Sequence, residues 1–173
     1  MLMTERNDNI ILIGMAGAGK STLGVLLAKA LGKHFVDTDL IIQKRTGKLL
    51  QDLIDNDGVD VFLRLEEEIL LSLDLHDHVI STGGSSVYSN AAMDRFRENG
   101  KTVYLYVDYD ELQHRIPNLS TRGIVFRGRE FTLRDVYEER LPLYAKHADV
   151  TVDCSGHDMR SCLSRVIEQL ERE

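Results

Sequence analysis

Short apolar runs alternate with longer amphipathic stretches along most of the chain. The run Asn9–Ile13 (NIILI) is apolar after its first residue and stops at a glycine, which is typical of a buried strand. In the next stretch, Lys20–Leu31, leucine and alanine recur at helical spacing, and Gly32 follows as a residue suited to end a helix. The chain therefore begins with a strand, a glycine-rich connection and a helix.

The same alternation continues along the chain and predicts a single α/β domain spanning residues 1–173. Five strands separated by helices indicate a three-layer α/β sandwich with a parallel sheet. One stretch, 118–129 (NLSTRGIVFRGR), is polar, basic and without periodicity. A loop of that length in a compact domain is usually functional or disordered, and a surface insertion is the alternative. We predict the further strands at 35–36, 79–81, 102–107 and 150–152, and helices at 38–45, 58–73, 90–98, 110–116, 133–145 and 158–171.

Composition and charge narrow the class of protein. The 173 residues carry a net charge of -7, and no apolar run is long enough to span a bilayer. An acidic chain lacks the clustered cations that nucleic acids require, so neither a membrane nor a nucleic acid is an expected partner. The polar N-terminus lacks the apolar core of a secretory signal, and Cys154 and Cys162 match no disulfide framework or metal motif. We therefore expect a cytoplasmic protein, and a monomer.

The strongest chemical signal lies directly after the first predicted strand. Residues 14–21 (GMAGAGKS) fit the pattern G-x-x-x-x-G-K-[ST] at every fixed position, a match that chance produces about once in a hundred such chains. Glycines allow successive backbone N–H groups to point at phosphate oxygens, and the following helix adds the positive end of its dipole. The motif predicts a site for ATP, with Lys20 on the outer phosphates and Ser21 as a ligand of Mg²⁺. The predicted nucleotide contacts in this segment are Gly14, Ala16, Gly17, Ala18, Gly19, Lys20, Ser21 and Thr22.

Several short motifs follow the phosphate loop, and their order resembles the shikimate kinase family along the whole chain. The resemblance implies a fold like that of nucleoside monophosphate kinases and the transfer of a phosphoryl group from ATP. It also implies an acceptor-binding helical region at about 37–75 and a mobile lid at about 118–131. The motifs that carry it are Asp37-Thr38-Asp39 after the second predicted strand, 62–67 (FLRLEE), Gly83-Gly84 after the third strand, Arg115, Arg122 and 140–144 (RLPLY).

The resemblance assigns roles to two acids and two glycines. Asp37 matches an acid that helps to hold Mg²⁺ through water, and Asp39 matches the acid that binds acceptor hydroxyls and can take a proton. Gly83 and Gly84 match glycines whose amides meet the acceptor. From the residues alone, Asp37 or Thr38 also suits the N-cap of a helix, and the glycine pair also suits a plain turn.

Arginines carry the remaining roles that the resemblance implies. Arg115 matches an arginine that stacks on adenine, although a solvated helix face is the alternative for it. Arg140 matches one that pairs with the carboxylate of the acceptor. Arg122 matches the lid arginine that closes over the transferring phosphoryl group, and Arg127 and Arg129 are nearby competitors for that role. The catalytic residues are thus predicted to be Lys20, Asp39 and Arg122.

The acceptor half departs from the family pattern at three points. The family motif F-R-x-x-E ends here at Glu66, but Leu63 stands in place of the arginine. The next residue, Arg64, is turned by about 100° on a helix and is not expected to reach the same point. A lost charge-assisted bond to a carboxylate corresponds to about 1.5–3 kcal/mol. Ser85 replaces the third glycine of the family, and Gly123 replaces the proline of the lid, which loosens that hinge.

Four functions are compatible with these features. The order of the motifs favours ATP-dependent phosphorylation of a hydroxyl group of shikimate, a small hydroxylated acceptor. Leu63 favours a paralogue that acts on another hydroxylated metabolite, one with a weaker or absent carboxylate. A nucleoside monophosphate kinase would need a base pocket and more lid arginines. A nucleotide-binding regulator without activity is opposed by the intact Lys20, Ser21 and Asp37. Arg122 opposes it as well.

Overall fold

A five-stranded parallel sheet forms the centre of the protein in the computed structural model, which describes residues 9–116, 123–126, 128 and 131–172. The strands pair in the order β2-β3-β1-β4-β5, as an α/β sandwich requires. In the register, Ile11 of the central strand lies opposite Ile80 on one side and Thr102 on the other. The strands are β1 (Asn9–Ile13), β2 (His34–Asp37), β3 (His78–Ser81), β4 (Gly100–Tyr106) and β5 (Val150–Asp153).

Helices cover both faces of the sheet. Two of them, α1 and α8, pack together against one face, and α5 and α7 pack against the other. The three layers and the parallel strands confirm the predicted fold class. The helices of the described residues are α1 (Lys20–Leu31), α2 (Thr38–Thr46), α3 (Leu50–Asp57), α4 (Val59–Leu71), α5 (Asn90–Glu98), α6 (Tyr109–Arg115), α7 (Leu133–His147) and α8 (Met159–Glu171), with a 3₁₀ helix at Ser86–Tyr88.

The apolar run of β1 is explained by its position. Every residue of Asn9–Ile13 is buried, because the strand has neighbours on both edges and helices over both faces. Such a strand has no solvent side, so its sequence shows no alternation of apolar and polar residues. The phosphate loop therefore starts from a rigid element at the centre of the molecule.

A second, smaller core lies beneath the predicted acceptor region. It joins α2, α3 and α4 with Val125, a residue of the predicted lid. Helix α3 was not predicted, although Leu50, Leu53 and Ile54 have helical spacing. The buried members of this core are Ile42, Leu50, Leu53, Phe62, Ile69 and Val125.

Most of the predicted lid, 118–131, lies outside the described residues, which include only 123–126, 128 and 131 of it. Within the described ranges no helix is long and apolar enough to cross a membrane.

Substitution of Gly100 by alanine is expected to destabilise the junction of β1 and β4 by about 1–3 kcal/mol, the usual cost of overpacking. A Cβ at Gly100 would meet the backbone oxygen of Asn9 and lie 2.8 Å from its carbonyl carbon. The side chain of Asn9 in turn holds the chain before β3, since it donates to the oxygen of Leu75 and accepts from the amide of His78. Urea unfolding measures the loss. Gly128→Ala is the control, because among the described residues a Cβ there meets only the Phe131 ring, at 3.6 Å; equal stability of the two variants would contradict the prediction.

Candidate active site

A cleft of about 450 Å³ at the carboxyl edge of the sheet collects most of the residues predicted from the sequence. Its walls come from the phosphate loop after β1, the start of α2, the loop after β3, and residues of α6 and α7. Ligands bind at this edge in open parallel sheets, because the loops that follow neighbouring strands converge there. The predicted residues that line the cleft are Ala16, Gly17, Gly19, Lys20, Ser21, Thr22, Asp39, Gly83, Gly84, Arg115 and Arg140.

Two residues of the predicted nucleotide set lie beneath the phosphate loop instead of on the cleft surface. A Cβ at Gly14 would lie 2.8 Å from the backbone oxygen of Leu105 in β4, so a glycine is required where the loop leaves the sheet. Ala18 is buried, and its amide donates to the oxygen of Met15 at 3.1 Å. Both residues therefore shape the loop from its inner side.

The loop adopts the backbone conformation that its glycines predict. Gly17 has φ 82°, and a Cβ there would lie 2.8 Å from the side chain of Ile116. Gly19 has φ 94° and is the N-cap of α1, with no capping hydrogen bond from a side chain. The first amides of α1 thus face the cleft at the positive end of the helix dipole, which suits an anionic group.

Lys20 is tied to the loop that it follows. Its Nζ donates to the backbone oxygens of Gly14 at 2.7 Å and Met15 at 2.8 Å. Burial lowers the pKa of this lysine to about 8, and the carboxylates of Asp39 and Asp37 oppose that shift. At neutral pH the amine is therefore mostly a cation, held above the phosphate cradle.

Ser21 and Asp37 form the group of oxygens that suits a divalent cation. The Ser21 hydroxyl donates to Oδ2 of Asp37 at 2.6 Å. Asp37 also caps α2, because its Oδ1 accepts from the amide of Asp39 at 2.9 Å. The N-cap interpretation and the predicted metal role are thus compatible at one residue. In the described part of the chain no cluster of three or more His, Cys, Asp or Glu side chains is suited to a metal, and Mg²⁺ in phosphate-transfer sites needs only one or two protein oxygens.

The acceptor end of the cleft is built around Asp39 and the two glycines after β3. Burial and the neighbouring Asp37 raise the pKa of Asp39 to about 6. A Cβ at Gly83 would lie 2.6 Å from Oδ1 of Asp39, so only glycine allows this approach. The Gly83 amide already donates to the Thr38 hydroxyl at 3.2 Å, and the Tyr144 hydroxyl donates to the oxygen of Gly84 at 2.7 Å. The glycine turn is thus fixed from both sides.

Arg140 of α7 places a buried guanidinium at the acceptor end. Its Nε donates to the Tyr88 hydroxyl at 3.2 Å, and its Nη2 donates to the oxygen of Val125 at 3.1 Å. Nη1 lies 2.9 Å from the point where a Cβ of Gly84 would stand, on the wall of the cleft. One edge of the guanidinium is therefore committed to the protein, and the other lies toward the ligand space.

Arg115 lies on the cleft wall at the end of α6, next to the phosphate loop. It forms an ion pair with Glu111, one turn earlier on the same helix. The second oxygen of Glu111 accepts from the amide of Gly156, in the loop after β5. The arginine is therefore held by Glu111, which is itself anchored to the loop after β5, and this position is compatible with the predicted contact to adenine.

Several lining residues were not predicted from the sequence. Leu50, Phe62, Thr82, Ile124 and Val125 also line the cleft. Leu50, Ile124 and Val125 carry no motif, because nothing in the sequence separates them from ordinary core residues. Phe62 differs from them, since it opens the motif at 62–67. For Leu50 a signal was present, because Leu50, Leu53 and Ile54 have the spacing of a helix, but that helix was not predicted.

The departures at 63 and 64 lie on different faces of α4. Leu63 lines a separate cavity of about 160 Å³, together with Glu66, Ser85 and Tyr88. Arg64 is exposed, and its Nε donates to the oxygen of Asp60 at 3.2 Å, in agreement with the expected rotation away from the acceptor end.

The predicted lid arginine, Arg122, falls outside the described residues, as do Arg127 and Arg129. The nearest described residue, Gly123, has φ 61°, and its amide donates to the side chain of Gln51 at 3.2 Å. The role of Arg122 therefore stays a prediction.

Comparison with known proteins connects this geometry to one family. The family model described as "Shikimate kinase" matches residues 16–171. A curated shikimate kinase of Thiobacillus denitrificans is 39% identical over 165 residues, which cover 94% of this chain and 90% of that protein. One of Pseudoalteromonas atlantica is 37% identical over 172 residues and covers 98% of this chain and 100% of that protein. 

A solved structure gives the same result at the level of the fold. The shikimate kinase of Acinetobacter baumannii, determined in complex with shikimate, superposes with a TM-score of 0.87. It is 28% identical, and the superposition covers 97% of this chain and 95% of that chain. The phosphate loop, the sheet order and these matches along nearly the full length lead to one conclusion: the chain belongs to the shikimate kinase family.

Proposed function

We propose that this protein is a shikimate kinase, which transfers the γ-phosphoryl group of ATP to a hydroxyl group of shikimate. The observation that carries the proposal is the shared cleft. Lys20 on the phosphate loop lines the same space as Asp39 and Arg140, so a nucleotide and a hydroxylated acid can meet there. Membership of the shikimate kinase family supports this choice of acceptor.

The roles of the residues that bind the nucleotide follow from the hydrogen-bond donors, cations and oxygen ligands that they supply. Backbone amides of the loop and the N-terminus of α1 bind the phosphates, and Lys20 neutralises charge on the outer ones. Arg115 contributes a flat cation for the adenine ring. Ser21 and Asp37 fit Mg²⁺ because both are hard oxygen ligands beside the phosphate cradle. When bound, the ion withdraws charge from the phosphate oxygens.

The acceptor half positions the hydroxyl group for the transfer. Arg140 pairs with the carboxylate of shikimate, and Asp39 accepts a hydrogen bond from the reacting hydroxyl group. The hydroxyl oxygen forms a bond to the γ-phosphorus as the bond from that phosphorus to the β–γ bridging oxygen breaks, which releases ADP. The hydroxyl proton passes to Asp39. In our proposal Arg122 of the lid covers the transferring group.

The substitution Asp37→Asn is expected to raise the Mg²⁺ concentration needed for half-maximal activity by about 10- to 100-fold, the usual cost of disturbing a supporting metal ligand. Asparagine keeps an oxygen for the capped amide of Asp39, so the thermal midpoint should change little. Activity titrated with MgCl₂ at saturating ATP measures the effect. Asp52→Asn, in the first turn of the nearby helix α3, is the control. An unchanged Mg²⁺ requirement would remove Asp37 from the metal site.

The proposed function is tested by ADP release in a coupled assay, with ATP, Mg²⁺ and shikimate. We expect turnover that depends on both shikimate and Mg²⁺. A panel of other polyols and sugar acids gives the comparison. Faster turnover on another acceptor, with none on shikimate, would overturn the choice of substrate and leave the phosphoryl transfer intact.

Leu63 favours a second candidate function. In this alternative the protein is a kinase for a related hydroxylated metabolite with a weaker or absent carboxylate. The leucine lines its own cavity, where the family pattern places an arginine. The two candidates differ in how kcat/KM changes when the carboxylate of the acceptor is replaced by an amide. A large loss is expected for a shikimate kinase and a small one for the alternative.

We also propose that the chain acts as one domain and as a monomer, with the acceptor region at about 37–75 and the lid at about 118–131. Light scattering of the purified protein at assay concentration tests the monomer.

A further inference from the structure

Glu66 of α4 is a buried carboxyl group that the proposed mechanism does not use. Only 2% of the residue is exposed. Its Oε2 accepts from the Ser85 hydroxyl at 2.7 Å, whereas Oε1 has no hydrogen-bond partner among the described residues. A buried carboxylate oxygen without a partner is costly, and it therefore calls for an explanation.

The unpartnered oxygen lies at the acceptor end of the site. Oε1 of Glu66 and Oδ1 of Asp39 are 2.9 Å and 2.6 Å from the same point, the position of a Cβ on Gly83. Two acidic groups therefore converge on a glycine that lines the cleft. If both were ionised, they would repel each other and any anionic acceptor bound beside them.

No cation is paired directly with Glu66 in the described residues. From α7, Arg140 and Tyr144 face it. Arg140 donates hydrogen bonds to Tyr88 and Val125, and its guanidinium acts on Glu66 through its charge, without a hydrogen bond to it. Burial raises the pKa of Glu66 to about 7, the Ser85 hydroxyl and Arg140 oppose this shift, and Asp39 adds to it.

Two departures from the family pattern meet at this residue. Leu63 removes the arginine one turn before Glu66, and Ser85 adds the hydroxyl group that bonds to it. A neutral hydroxyl donor has thus replaced a cation near the acid. A carboxyl group in this environment keeps its proton more readily, because no cation is bonded to it to stabilise the ionised form.

We propose that Glu66 is a specificity-determining residue of the acceptor end, and that it favours an anionic acceptor only as the neutral acid, with its proton on Oε1 beside Asp39. In that form Oε1 is a donor, and Oδ1 of Asp39, which approaches the same point at Gly83, is the acceptor on that side. The inference rests on the proposed transfer to shikimate. It adds a dependence of acceptor binding on pH, and this dependence arises from Leu63 and Ser85 in this chain.

The sign of the pH effect follows from the direction of the shift. Below about pH 7 Glu66 is neutral and adds no charge to the acceptor end. Above that pH it ionises, so the KM for shikimate should rise in the wild type. The KM for ATP should follow the titration of Lys20, whose pKa is about 8, and should do so equally in the wild type and in Glu66→Gln. Binding of the anionic acceptor should in turn draw a proton onto Glu66.

The first test needs no acceptor and compares the wild type with Glu66→Gln, which imitates the neutral acid. Because a raised carboxyl pKa removes stability as pH rises from the unfolded value toward 7, the glutamine variant should become relatively more stable over pH 5 to 7. We expect the difference in Tm to grow by at least about 3 °C. Glu68→Gln, exposed on the same helix, is the matched control. A Tm difference that does not vary with pH would show that Glu66 is ionised throughout, and would overturn the inference.

The second test measures the KM for shikimate from pH 6.5 to 8.5. We expect a rise of about fivefold or more in the wild type and in Glu68→Gln, and of about twofold or less in Glu66→Gln. Asp39, Lys20 and Arg140 are the same in all three proteins, so the difference between the profiles isolates Glu66. Calorimetry of shikimate binding at pH 8 in two buffers should show proton uptake in the wild type that is reduced in Glu66→Gln. Identical profiles and uptake would remove Glu66 from acceptor recognition.

A third variant restores the arginine. The cavity of about 160 Å³ beside Leu63 offers space for the side chain in Leu63→Arg. The introduced cation should ionise Glu66, shift the rise in KM out of the measured range and tighten shikimate binding by about tenfold. An unchanged pH profile in this variant counts against the inference. Absence of shikimate turnover in the wild type would instead reject the proposed function, and the Tm series would still decide the protonation of Glu66.

Discussion

Replacing Lys20 by alanine is expected to lower kcat for ATP-dependent turnover by about 10²–10³-fold, the cost of removing one donor from the charge that develops in a transition state. The lysine is buried on the wall of the cleft, tied to the oxygens of Gly14 and Met15. The phosphates of a bound nucleotide would therefore meet a cation that is already in place. Steady-state kinetics with ATP and shikimate as variable substrates measure the loss.

The control for Lys20→Ala lies on the same helix. Lys29 is exposed near the end of α1, and Lys29→Ala should keep the activity of the wild type. Thermal unfolding checks that both variants are folded. If Lys20→Ala turns over normally, the assignment of the phosphate site to this loop is wrong, whatever the acceptor.

Replacing Arg140 by methionine should raise the KM for shikimate by about 10- to 150-fold, corresponding to one charge-assisted bond of about 1.5–3 kcal/mol. Because Leu63 offers no second cation from α4, the carboxylate of the acceptor depends on this guanidinium among the described side chains of the cleft. The KM for ATP should change by less than about threefold, since nucleotide contacts are not touched. Methionine keeps most of the buried volume at this position.

The matched control is Arg134→Met, a substitution of an exposed arginine on the same helix, α7. That side chain is 55% exposed, and it pairs with Glu138 and lies over the ring of Tyr109. We expect the KM for shikimate of this variant to equal that of the wild type. An unchanged KM in Arg140→Met would mean that the acceptor has no carboxylate to bind, or that it binds elsewhere.

The nucleotide half could be predicted closely from the sequence because its chemistry is local. The phosphate loop needs glycines at fixed spacing, a lysine and a serine, and all lie within one short segment. The bounds predicted for β1 and α1 agree with the structure, and Gly32 ends α1 in the left-handed conformation expected of it. Because these backbone requirements are met by neighbouring residues, they can be recognised in a short stretch of the sequence.

The acceptor half depends on contacts between distant segments, and less of it could be predicted. The pair of Glu66 and Ser85 joins residues 19 positions apart, and Tyr144 holds the turn at Gly84 from 60 positions away. The small core around Val125 brings the lid region onto α3, a helix that the sequence interpretation missed. No periodicity in one segment indicates which other segment will cover it.

The sequence by itself determined the fold class, the phosphate loop and the identity of the acids and arginines that can act beside it. The tertiary structure decided their environment: which side chains are buried, which oxygen lacks a partner, and which face of α4 Arg64 occupies. The physical reason is that the backbone conformation follows from neighbouring residues, whereas the charge state of Glu66 and Asp39 follows from the desolvation that only the packed molecule imposes.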